Sequence, residues 1–121
     1  TEIGRHAWEV IKAAQDAPDD LRVYFLAHTE ETPMGRVKMK TIGKMLDEKI
    51  TVEGMFTIVL RTLTRDDQFF FTTKNNGADT VKSPMGMFDS NEIDNDLSFV
   101  DATVCDYYGI NNVHQIKENA A

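Results

Sequence analysis

The chain has 121 residues, enough for one small domain with a modest core. Hydrophobic residues make up 41% and charged residues 27%, the balance of an ordinary globular domain, and no apolar run approaches the ~20 residues that span a bilayer. A net charge of −7 excludes a surface coated for phosphate binding, so any nucleic-acid contact must come from a local basic stretch.

No signal-peptide pattern is visible, and no membrane partner is expected. The chain opens on Thr1 rather than Met, as expected of a stretch that starts inside a longer reading frame or follows a removed tag. The single cysteine, Cys105, excludes an internal disulfide and fits a reducing cytoplasm. On a helical pattern it reads as a small buried hydrophobe rather than a nucleophile.

Residues 3–16 are expected to form a helix. Ile3, Ala7, Val10, Ile11 and Ala14 recur on one face, with Trp8 beside them. Pro18-Asp19-Asp20 breaks the pattern with a turn. Val23 to Ala27 is a continuous apolar run, which suits a strand buried on both faces of a parallel sheet. It ends in the polar cluster His28-Thr29-Glu30-Glu31. Residues 31–40 read as a loop punctuated by Pro33 and Gly35, in which Arg36, Lys38 and Lys40 alternate with Val37 and Met39.

A short helix is expected at about 41–50, with Ile42, Met45, Leu46 and Ile50 on one side. Beyond Gly54, the β-branched run from Met55 to Arg61 predicts a strand. Arg65-Asp66-Asp67 reads as a tight turn and Phe69 to Thr73 as the returning strand, so residues 55–74 predict an antiparallel hairpin. Residues 75–88 are loop. The last helix is expected from Asp89, where Asp89 and Glu92 resemble a capping box, and it should stop at Gly109. Its apolar stripe is Ile93, Leu97, Val100, Val104 and Tyr107 or Tyr108. A polar tail follows over 110–121.

The expected fold is α/β, in the order helix–strand–helix–strand–strand–helix, with a right-handed parallel crossover and an antiparallel hairpin.

Three constellations could carry chemistry. His28, Thr29 and Glu30 end the first strand, where open α/β sheets bind ligands. A polar residue there can hydrogen-bond a phosphate or an attacking water, or can simply mark where a buried strand meets solvent. Arg36, Lys38, Lys40 and Lys44 form a local basic stretch that could contact a phosphate backbone. They could equally be a solvated loop paired with Glu30, Glu31, Asp47 and Glu48. Lys74, just past the hairpin in Thr73-Lys74-Asn75-Asn76-Gly77, sits on a rigid element from which an ammonium can reach phosphates on a neighbouring subunit. The same residues also make an ordinary Asn-Gly turn. No histidine pair has metal-ligand spacing, and no metal site is expected.

Several stretches together resemble a family. Residues 23–30, 35–44, 47–54, 73–77 and 82–88 are similar, in that order, to the second half of RecA-like, P-loop ATP-binding proteins of phages and prophages. Some members of that family are linked to single-strand annealing and DNA recombination. The resemblance runs over roughly 1–109 and implies a partial RecA-like sheet as one truncated domain.

It also implies roles. His28, Thr29 and Glu30 match the place of a γ-phosphate sensor. The Arg36, Lys38, Lys40 and Lys44 stretch matches a DNA-contacting loop. Lys74 matches a trans-acting lysine at a subunit interface. The family's Gly-x-x-x-x-Gly-Lys-Ser/Thr loop and its magnesium-holding acidic strand have no counterpart in these residues. ATP and magnesium are therefore implied only for a full-length relative, and this chain alone is expected to be inactive as an ATPase. An apolar strand at 22–28 without its sheet neighbours would drive association, so the expected partner is a second copy. The alternative is a non-catalytic, self-associating interaction module. Single-stranded DNA binding is expected to be weak at best.

Overall fold

The computed structural model describes residues 2–40 and 52–110. Helix α1 spans Glu2–Gln15. It buries Ile11 against Ala7, Trp8, Met39, Met55 and Phe56, so the expected apolar stripe does face inward at its centre. Val10, on the edge of that stripe, is exposed. The chain then turns at Pro18, whose carbonyl accepts from the Leu21 N–H at 3.0 Å.

The run Val23–Ala27 differs from the buried strand predicted for it. It belongs to no strand, and Leu26 is 84% exposed. A continuous apolar run makes a two-sided buried strand only when strands flank it. Among the described residues none does, and only particular side chains are held. Phe25 stacks edge-on against Phe56 with ring centroids 5.4 Å apart.

The predicted loop over 31–40 is instead a hairpin. Strands β1 (Thr29–Glu31) and β2 (Val37–Met39) pair antiparallel, with Glu30 opposite Lys38. The alternation of cations with Val37 and Met39 is a period-2 signal, and Gly35 supplies the left-handed turn residue at φ 82°. The helix expected at 41–50 lies outside the described residues, as do Lys44 and the tail from Asn111.

A single 3-10 turn, Val52–Met55, brings the buried Glu53 carboxylate to the Met39 N–H at 3.0 Å. The hairpin predicted over 55–74 is present but shorter. Strand β3 is Arg61–Arg65 and β4 is Gln68–Thr72, joined at Asp66-Asp67. Both aspartates have positive φ, 54° and 62°, as a two-residue turn with the twist of a hairpin requires. Upstream of β3 only a bridge between Val59 and Lys82 is formed.

The region predicted to start the last helix forms a third strand, β5 (Glu92–Asp94), paired antiparallel to β4. Ile93 is β-branched and lies opposite Phe71, while Glu92 is drawn to Arg65 rather than to a helix start. Helix α2 therefore begins later, over Leu97–Tyr108, with Asp96 as its N-cap accepting from the Ser98 N–H at 2.9 Å. It stops where predicted, at Gly109 in the left-handed conformation.

The described residues thus form a mixed α/β structure of two helices and two small sheets, ordered β1-β2 and β3-β4-β5. Every strand pairing among them is antiparallel, and the predicted parallel crossover is not among these pairings. The main core lies between the three-stranded sheet and α2. Met87, Phe88, Val100 and Val104 are buried there, with Ile58, Leu60, Phe71 and Ile93 packed against them. No helix among the described residues is long and apolar enough to cross a membrane.

Candidate functional site

Period-2 alternation divides the β3-β4-β5 sheet into two faces. Phe71 and Ile93 point to the core. The opposite face therefore carries Arg61, Leu63 and Arg65 from β3, Phe70 and Thr72 from β4, and Glu92 from β5. Arg65 lies over the Phe70 ring, 5.1 Å from its centroid, and donates to both Glu92 carboxylate oxygens at 3.0 and 2.7 Å. That bidentate contact raises the guanidinium and holds the Glu92 carboxyl below its ordinary value.

Beyond this pair the face opens into a cleft of about 670 Å³, lined by Arg61, Leu63, Thr72, Lys74, Asn75, Asn76, Asp79, Ser90, Asn91 and Glu92. Of the candidate phosphate-sensing and phosphate-contacting residues, Lys74 lines it, beside Asn75 and Asn76 of the same motif. Its position is fixed by Thr73, which has no exposed surface. Thr73 Oγ1 donates to the Ser90 carbonyl at 2.6 Å, and its own carbonyl accepts from Ser83 Oγ at 2.8 Å. Lys74 leaves this anchor on the exposed side.

The turn that follows is closed by its own side chains. Gly77 N–H donates to Asn75 Oδ1 at 2.6 Å and Ala78 N–H to Asn76 Oδ1 at 2.8 Å. Asp79, only 4% exposed, accepts from the Asn76 and Val81 N–H groups and lies 3.6 Å from the Arg61 guanidinium. Arg61 and Asp79 carry no motif that flags them in the sequence. Their pairing exists only once β3 meets the turn.

The remaining candidates lie on the β1-β2 hairpin. His28 closes it through its carbonyl, which accepts from the Lys40 N–H at 2.7 Å. Thr29 and Glu30 lie in β1, within an antiparallel pair rather than at the end of a parallel strand. Arg36, Lys38 and Lys40 alternate with Val37 and Met39, and Met39 packs toward the Ile11 cluster. Lys38 and Glu30 are 3.5 Å apart, so part of the basic stretch is neutralised across the strands. The Val37 N–H donates to the Ala78 carbonyl at 2.7 Å. The fold therefore joins the basic hairpin to the turn that follows Lys74.

A second cluster, unmarked in the sequence, fastens the exposed apolar run to α2. Arg22 Nε and Nη2 each lie 2.8 Å from an Asp101 carboxylate oxygen, and Tyr24 Oη donates to the same carboxylate at 2.8 Å. The hydrogen bonds to Asp101 push the Arg22 guanidinium well above its ordinary range. Burial, followed by the bond to Asp101, pushes the Tyr24 phenol up. Cys105, one turn along α2, is also pushed up by burial and is 2% exposed, the setting of an inert thiol.

These residues do not fit a nucleotide cradle. The Asn76, Gly77 and Ala78 N–H groups are already bonded within the turn, so these three do not offer a phosphate a backbone nest. No group of three or more His, Cys, Asp or Glu gathers to hold a metal among the described residues. No family model matches the chain, and neither a curated protein nor a solved structure is detectably similar to it.

Proposed function

We propose that this chain is the later part of a phage-type RecA-like ATP-binding protein associated with DNA recombination, without ATPase activity by itself. The support from sequence is the order and number of the resembling stretches. The observation that carries the reading is the exposed apolar run from Val23 to Leu26, fastened through Arg22 and Tyr24 to Asp101. A segment outside any strand, held in place with apolar side chains in solvent, suits a strand whose sheet neighbours belong to another stretch of polypeptide. In this reading that stretch brings the phosphate-binding loop and the magnesium-holding aspartate. Lys74 then faces phosphates at a subunit interface, His28, Thr29 and Glu30 act as the nucleotide sensor, and the hairpin with Arg36, Lys38 and Lys40 meets single-stranded DNA.

The test is to extend the chain by its upstream coding sequence and measure ATP hydrolysis. The extended protein should hydrolyse ATP and lose that activity on Lys74→Ala. An upstream sequence with no phosphate-binding loop overturns the reading.

The same exposed run favours a second reading, a non-catalytic module that associates with copies of itself. Both readings allow association, so an upstream phosphate-binding loop separates them, and sedimentation equilibrium tests the second by itself. Self-association abolished by Leu26→Lys supports the module, and a monomer at high concentration removes it.

A further inference from the structure

The cleft on the outer face of the β3-β4-β5 sheet has an uneven charge inventory. Its two carboxylates are already engaged. Glu92 is held bidentately by Arg65, and Asp79 points its oxygens at the Asn76 and Val81 N–H groups and at Arg61. Its two cations are not equally engaged. The Arg61 side chain is 35% exposed and only 3.6 Å from Asp79 by one nitrogen, which leaves guanidinium donors facing the cleft. Lys74 is exposed on the cleft wall. In a chain of net charge −7, this concave surface is locally neutral, with two cations against two carboxylates that already have partners.

We propose that this cleft takes a phosphate group, with Arg61 and Lys74 as its two ligands and Asp79 as the residue that positions them. Asp79 does this from two sides. Its carboxylate fixes the direction of the Arg61 guanidinium, and its bonds to the Asn76 and Val81 N–H groups close the turn from which Lys74 departs. Recognition is by side chains, because the backbone donors of the turn are spent within it. The role of Lys74 rests on the reading above. The roles of Arg61 and Asp79 rest on the cleft alone.

The test is titration of the isotopically labelled full chain with inorganic phosphate, followed by the backbone amide resonances of residues 74–78 and Asn91. Saturable shifts at these positions are expected, and Arg61→Ala and Lys74→Ala should each weaken binding about tenfold, as the loss of one charge-assisted contact implies. Asp79→Asn keeps an Oδ1 acceptor for the turn and loses only the charge that faces Arg61, so it should weaken binding as well but cause no further loss in the Arg61→Ala background. A merely structural role would add to that loss. Pyrophosphate and a thymidine oligonucleotide then separate the sources. Tighter binding of pyrophosphate confined to the cleft marks a nucleotide, and shifts that extend to Arg36, Lys38 and Lys40 mark a nucleic-acid backbone. Shifts that do not saturate, or that survive both alanine substitutions, overturn the proposal. It can fail while the extended chain still hydrolyses ATP, and it can hold while the extended chain does not.

Discussion

Replacing Asp101 with alanine should be among the most damaging single changes in the described structure. The carboxylate is 4% exposed and accepts from two Arg22 nitrogens and from Tyr24. Its loss leaves a part-buried guanidinium without its carboxylate and the Tyr24 phenol without its protein acceptor. Removing one partner of a buried ion pair typically costs about 3–5 kcal/mol. The lower end applies here, because Arg22 keeps its 2.6 Å bond to the Asp20 carbonyl and 15% of its side chain reaches water. A loss of about 3 kcal/mol is a large share of the ~5–15 kcal/mol that holds a domain folded. With a urea slope of about 1–3 kcal/mol per molar, the midpoint should fall by roughly 1–3 M. Urea unfolding followed by fluorescence reads the midpoint, and hydrogen exchange at Val23 and Tyr24 reads the local release. Arg22→Met combined with Asp101→Leu should recover most of the loss, since an apolar pair leaves no stranded charge. A loss below about 1 kcal/mol for Asp101→Ala, the range of a surface pair, would refute the claim that this cluster anchors the apolar run.

Other outcomes follow from the same geometry. Cys105 should resist alkylation in the folded chain and react on unfolding, and Asp101→Ala should speed the native reaction, as mass spectrometry can measure. Tyr24 has a folded pKa raised above its unfolded value, so its contribution to stability is full below about pH 10 and is lost as pH rises beyond it. Tyr24→Phe should flatten that alkaline loss in urea titrations run at stepped pH. Thr73→Val should cost about 1 kcal/mol in the same assay, because it removes the buried donor to the Ser90 carbonyl. The Glu92 carboxyl should titrate below the ordinary carboxylate range by NMR and return toward it in Arg65→Gln.

What was legible in the sequence was local. The stop at Gly109 needs one residue free to take positive φ, and the β3-β4 hairpin needs a β-rich run on either side of a two-residue turn. The hairpin at 29–39 was also written in the alternation of Arg36, Lys38 and Lys40 with Val37 and Met39, but Pro33 and Gly35 made the segment read as a loop. Asp89 and Glu92 have capping-box spacing and point to an early start for α2, whereas Glu92 finds Arg65 across the sheet. Long-range pairs were illegible for a related reason. Arg22 and Asp101 are 79 positions apart, and neither shows its partner until the segment after Pro18 lies along α2. Lys74 stood out because a lysine beside Asn-Asn-Gly is conspicuous. Arg61 did not, since one arginine at the start of a strand resembles any other.

The two faces of the β3-β4-β5 sheet have an evolutionary consequence. Phe71 and Ile93 serve the core, while Arg61, Leu63 and Thr72 on the alternate positions serve the cleft. Neighbours in sequence therefore answer to different selective pressures. Descendants of this chain can exchange the cleft residues and acquire a new ligand without repacking the core, and drift in the core leaves the ligand chemistry intact.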